Sequence, residues 1–150
     1  MKASRVRLAQ RIHQLDEFRE ERLRQELANG HLQLTTALQR QTEIEAALAL
    51  AEAARAKAIE ASGFNLGRYL LYSETCRAID DQLGQQSTLT RIAEDQVAEQ
   101  RDAWATGKAR CETTQRVVDR LAAAKVGHEE QKQRDEALDL WLTHRDANDA

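Results

Sequence analysis

Ser62-Gly63-Phe64-Asn65-Leu66-Gly67 interrupts a chain that otherwise reads as helix. Two glycines, a serine and an asparagine fall together there. Gly63 suits the C-terminal cap of a helix, where the backbone turns left-handed. Asn65 suits the N-cap of the helix that follows. No other stretch combines helix breakers in this way. Asn29-Gly30 is a weaker candidate, because helical spacing of apolar residues runs straight through it. One break near the middle of a helical chain predicts two long helices and a tip.

Composition agrees. The chain has 150 residues, no proline, six glycines, and two each of Phe, Trp and Tyr. Ala, Glu, Gln, Arg and Leu dominate, and all are good helix formers. Charged residues make up 31% of the chain, too many for a thick multilayer core but suited to a thin coiled-coil seam.

Downstream of the break, alternating steps of three and four pick out Tyr69, Tyr72, Cys76, Ile79, Leu83, Gln86, Thr90, Ala93, Val97, Gln100, Trp104, Gly107, Cys111, Thr114, Val118 and Leu121. No charged residue interrupts the series, as expected of a sustained seam. Upstream, the same alternation reads Leu27, Gly30, Leu34, Ala37, Gln41, Ile44, Leu48, Ala51, Arg55 and Ala58. Before it, the apolar choice is Leu8, Ile12, Leu15, Arg19 and Leu23. The steps from Arg19 to Leu23 and from Leu23 to Leu27 are then both of four, a stutter that unwinds the supercoil locally. Folding about residue 64 or 65 makes facing residue numbers sum to about 129. Leu8 then faces Leu121, Ile12 faces Val118, Gln41 lies between Gln86 and Thr90, and Trp104 lies beside Leu23 and Leu27.

The expected fold class is therefore all-α, a long antiparallel two-helix coiled-coil hairpin over residues 1–150. Helix one is expected from about Ser4 to Ala61, the tip at about 62–67, and helix two from about Leu66 to Arg145. Residues beyond about Lys125 overhang the pair by roughly 30 Å. Leu138, Trp141 and Leu142 form an apolar strip on that overhang with no partner in the hairpin, which marks a binding surface.

The net charge of −3 gives no global pull toward nucleic acid or an anionic membrane. Its distribution is uneven. Residues 1–24 hold seven Lys or Arg against four acids, and residues 125–150 hold four against seven. The two ends are thus complementary. Arg5, Arg7, Arg11, Arg19, Arg22 and Arg24 are interleaved with Asp16, Glu17, Glu20 and Glu21. A mixed face of this kind neutralises few phosphates, so a protein-docking or solvated face is the expectation. Cys76 and Cys111, if on one helix, lie roughly 50 Å apart and read as reduced seam residues of a cytoplasmic protein. Arg5, Arg7 and Arg11 are not followed by the apolar run of a leader, and the alanine-rich stretch 46–54 is too short to span a bilayer.

Enzymatic signatures are not read. Gly107-Lys108 lacks the first glycine and the Ser/Thr of a phosphate-binding loop. His13 and Glu17 have ligand-compatible spacing, but such pairs are ordinary on helix surfaces. Adjacent carboxylates such as Glu20-Glu21 and Glu129-Glu130 point to different sides of a helix in water. No catalytic residue, cofactor or metal is expected. At the tip, Phe64, Leu66, Tyr69, Leu70, Leu71 and Tyr72 exceed what one helical neighbour can bury. They either close the loop or meet a partner.

The opening Arg5-Val6-Arg7-Leu8, the segment Ile12 to Leu15, the Glu/Arg-rich run 17–26, the tip followed by Tyr69 and Leu70, the stretch from Cys111 to Lys125, and the ending Leu140-Trp141-Leu142-Thr143-His144-Arg145 together resemble the FliJ/YscO (SctO) stalk proteins of flagellar and virulence type III secretion. The ending is closer to the injectisome branch. The resemblance implies a non-enzymatic rod in the pore of a hexameric secretion ATPase. Such a rod promotes assembly and activity of the ring, reaches the export gate at the inner membrane, and handles secretion chaperones. It implies a free monomer that is cytoplasmic and peripheral to the membrane apparatus. By the same resemblance, Arg5, Arg7, Arg11, Arg19, Leu138 and Trp141 would contact the ATPase. Phe64, Leu66, Tyr69, Leu70 and Tyr72 at the tip would face the gate. The alternative is a generic cytoplasmic coiled-coil tether or secretion chaperone/adaptor, which would dimerise through the overhang.

Overall fold

The computed structural model describes residues 2–60 and 62–149, with the Lys2 side chain left aside. Helix α1 spans Lys2–Glu60 and helix α2 spans Leu66–Asn148. The two pack against each other as an all-α helical hairpin with no strand among the described residues. The expected end of helix one at Ala61 lies outside the described residues.

The tip forms as its residues dictate. Gly63 takes φ +100°, a left-handed conformation that a side chain would strain. Asn65 Oδ1 accepts hydrogen bonds from the backbone N–H of Gly67 at 2.9 Å and of Arg68 at 3.3 Å. That satisfies two of the donors an α-helix leaves open at its start.

The chain divides into two compact units. One is Leu23–Trp104, and the other joins Met1–Arg22 to Ala105–Ala150. In the Leu23–Trp104 unit, the residues shielded from solvent include every seam position expected there, from Leu27 to Ala58 and from Tyr69 to Trp104. The seam is thin: among the described residues, Ile44, Cys76 and Val97 are its buried apolar side chains, and none of them is fully enclosed. Gly30 has a steric reason. A Cβ built there would overlap Gln100 Oε1 and lie 3.0 Å from Gln100 Cδ, so the glutamine head occupies the space a side chain would fill. The two half-buried glutamines do not pair with each other. Gln86 Nε2 donates across the seam to the Ala37 carbonyl at 3.2 Å, and Gln41 donates to Glu45 on its own helix at 3.1 Å.

In the unit formed by the two ends, the α2 side of the seam is again as expected: Gly107, Cys111, Thr114, Val118 and Leu121. The α1 side is different. The shielded residues are Val6, Ala9, His13, Asp16 and Glu20, whereas Leu8, Ile12, Leu15 and Arg19 are exposed. No stutter exists. The alternation of three and four that passes through Leu27 and Leu23 simply continues upstream with polar residues in place. Register shifts accordingly. His13 pairs with Thr114, numbers that sum to 127 rather than 129. Leu121 adjoins Val6 instead of Leu8, and Ile12 lies on the surface beside Val117 instead of facing Val118. Helical geometry and small opposing residues outweigh hydrophobicity here. Thr114 supplies a polar atom for His13, and the Asp16 charge reaches Cys111 across the seam.

From Ala122 to Trp141 every residue of α2 is exposed, so the seam ends at Leu121 as the overhang requires. No described helix is long and apolar enough to cross a membrane.

Candidate partner-binding surfaces

The polar seam of the end unit is knit by specific bonds. Thr114 Oγ1 donates to the Cys111 carbonyl at 3.0 Å and so accepts from His13 Nδ1, also at 3.0 Å. The other ring nitrogen, Nε2, lies 3.2 Å from Glu17 Oε1, an ion pair when the ring is protonated. Both nitrogens of His13 are thereby used. Asp16 is only 4% exposed, and its carboxylate lies 3.6 Å from the guanidinium of Arg19. Burial, and after it the negative charges of Glu17, Glu20, Asp16 and Glu112, push the Cys111 thiol above its ordinary pKa. The thiol therefore resists ionisation, the opposite of what a nucleophilic cysteine needs.

This inward turn of the acids changes the outer surface of α1. Asp16 is buried, Glu17 is held by His13, and Glu20 and Glu21 are half-shielded. Arg5, Arg7 and Arg11 are exposed, with no ion-pair partner among the described residues. Arg19 is paired with Asp16, so the part of the arginine face that the acids leave unneutralised is Arg5, Arg7 and Arg11. The same exposed side carries Leu8 and Leu15, 59% and 57% exposed, with Ile12 and the 77% exposed Phe18. Sequence reasoning missed this surface because it assigned Leu8, Ile12 and Leu15 to the seam. The available signal was the unbroken phase upstream of Leu23, which polar residues disguise.

On the overhang, Leu138 and Trp141 are exposed, as is Leu140. The Arg145 guanidinium stacks 5.3 Å from the Trp141 ring centroid, a cation–π contact that steadies the indole without covering it.

In the Leu23–Trp104 unit, the tip residues divide. Tyr69 and Tyr72 are half-buried seam members, and Tyr69 also meets the Phe64 ring at 5.9 Å. Phe64, Leu66, Leu70 and Leu71 stay open. The tip is both a closure and a surface. Its exposed part is Phe64 with the three leucines rather than the tyrosines.

No protein-family model, no curated protein and no solved structure matches the chain.

Proposed function

We propose that the chain is a non-enzymatic central stalk of a type III secretion ATPase complex. It would sit in the pore of the hexameric ATPase, promote its assembly and activity, and link it to the export gate. The observation that carries this reading is the outrun of α2. After the last seam residue, Leu121, the helix continues to Asn148 with Val126, Leu138, Leu140 and Trp141 uncovered, next to an α1 start that is cationic and apolar. A ring pore takes one such end. Arg5, Arg7, Arg11 and Arg19, with Leu138 and Trp141, supply charge and anchoring apolar groups for its wall. Phe64, Leu66 and Leu70, with Tyr69 and Tyr72 behind them, supply the tip contact to the gate.

The test mixes the purified chain with the type III ATPase of its own system and follows hydrolysis and light scattering. Faster hydrolysis with more hexamer, at about one chain per ring, is the expected result. Arg7→Glu/Arg11→Glu should weaken it, while Phe64→Ser/Leu70→Ser should spare it. Absence of binding at high micromolar concentration would refute the stalk. The tether or chaperone/adaptor reading uses the same exposed ends and needs a dimer as its working state.

A further inference from the structure

The paired part of the end unit has two unlike faces. On one of them α1 and α2 form a cleft of about 310 Å³, lined by Arg5, Leu8, Ala9, Ile12, Thr114 and Val117. Leu15, one heptad on from Leu8, prolongs its α1 wall, and Leu8, Ile12, Leu15 and Val117 are all exposed. The Thr114 hydroxyl is already engaged within the seam, donating to the Cys111 carbonyl and accepting from His13. The floor therefore suits apolar side chains rather than a polar ligand.

Charge divides between the faces. Arg5 lines the cleft, and Arg11 stands among the leucines, three residues on from Leu8 and four before Leu15. On α2, Arg110 and Arg120 share the side of Val117 at spacings of seven and three. None of these four arginines has an ion-pair partner among the described residues, whereas Arg19 is paired with Asp16. The acids lie elsewhere. Of those in residues 2–22, Asp16 is buried and Glu20 is shielded in the seam, while Glu17 and Glu21 stand five and nine residues on from Ile12, on the far side of α1. In residues 105–121 the acids are Glu112 and Asp119, five and two residues from Val117 and so turned away from it. The cleft is thus apolar along its floor and cationic on both walls.

We propose that this cleft receives an acidic amphipathic helix of a partner protein, which lies as a third helix against α1 and α2. Residues 5–15 span about 15 Å, so about three turns of the incoming helix are engaged. Its apolar side chains, at helical spacings of three and four, fill the space between Leu8, Ile12, Leu15 and Val117. Its Asp and Glu, on either side of that stripe, meet Arg5 and Arg11 on one wall and Arg110 and Arg120 on the other. An anionic bilayer matches the charge but not the shape, because a flat surface reaches the outer ridge of Leu15 and Phe18 and not the floor between two helices. The inference deepens the stalk reading at the same end of the chain, and rests on it only for which protein carries the helix.

Two synthetic peptides of about 20 residues test it, one with a leucine stripe at helical spacing edged by glutamate, the other with the same stripe edged by lysine. Each is fluorescently labelled, and anisotropy follows its binding to the full chain at low and high salt. The glutamate peptide should bind at least about tenfold more tightly than the lysine peptide, and salt should weaken it. Arg5→Glu/Arg11→Glu should remove that preference. Leu8→Ser/Ile12→Ser, at exposed positions outside the seam, should weaken both peptides, with circular dichroism reading the fold of each variant. Equal binding of the two peptides, an unaltered preference in the charge-reversed variant, or no binding of the glutamate peptide at about 100 µM would overturn the inference. So would a chain that sediments with phosphatidylglycerol vesicles and ignores the glutamate peptide. The ATPase assay is scored apart from this: stimulated hydrolysis without peptide binding removes the cleft and keeps the stalk, and peptide binding without stimulation does the reverse.

Discussion

Replacing Asp16 by leucine should stabilise the protein, although it removes an ion pair. Asp16 occupies the seam one heptad before Leu23 and is 4% exposed. Its guanidinium partner, Arg19, is 62% exposed and 3.6 Å away, so the pair contributes no more than about 0.5 kcal/mol. Against that stand the cost of desolvating a carboxylate and the seam burial an aspartate forgoes. A leucine buried there contributes about 2 kcal/mol. Replacement of buried ion pairs by well-packed apolar residues of similar volume is often neutral or stabilising by about 1–4 kcal/mol. Arg19 loses its partner but stays in water. A net gain of about 2 kcal/mol follows, a rise in Tm of roughly 4–8 °C for a chain of this size. Thermal unfolding followed by circular dichroism measures it. The substitution also removes one of the negative charges acting on the Cys111 thiol, so thiol alkylation at fixed pH should quicken. A lower Tm for Asp16→Leu would refute the reasoning, and would mean that Asp16 holds the seam through contacts worth more than its desolvation.

The Cys111 thiol also gives a pH signature. Its pKa is raised in the folded state, so the unfolded chain ionises first. The stability it contributes is complete below the unfolded thiol pKa of about 8.5 and is lost as pH rises through the higher folded value. Tm should therefore fall more steeply above about pH 8.5 in wild type than in Cys111→Ser, and parallel curves would contradict the burial of that thiol. At the tip, Asn65→Ala removes the side-chain acceptor for the Gly67 and Arg68 amides and should cost about 1 kcal/mol. Urea unfolding checks this, and an unchanged midpoint would mean that water caps α2 as well as Asn65 does.

Much of the hairpin is readable from residue spacing. The seam of α2 repeats every three or four residues without a charge, and the structure shields each of those positions from Tyr69 to Leu121. The tip is equally legible, since Gly63 and Asn65 act through local backbone chemistry. The start of α1 is not legible in the same way. There apolar periodicity selects Leu8, Ile12 and Leu15, while the pairing selects Val6, Ala9, His13 and Asp16. The candidate surface suffers the same fate. Its arginines are found in the sequence, but the leucines between them are hidden by their resemblance to a seam.

By itself, then, the sequence determined that the chain makes two helices joined at one tip, where they pair over most of their length, and that α2 outruns α1. Those features follow from propensity, capping and a strong period, all of which act within a few turns of helix. Only the tertiary structure decided which side of residues 5–20 faces α2. A seam already in phase from Leu27 cannot shift by one residue without turning α1 by about 100°, and the small residues of α2 make polar partners acceptable there. Continuity of the helix therefore outweighed the local preference of three apolar side chains, and left them exposed.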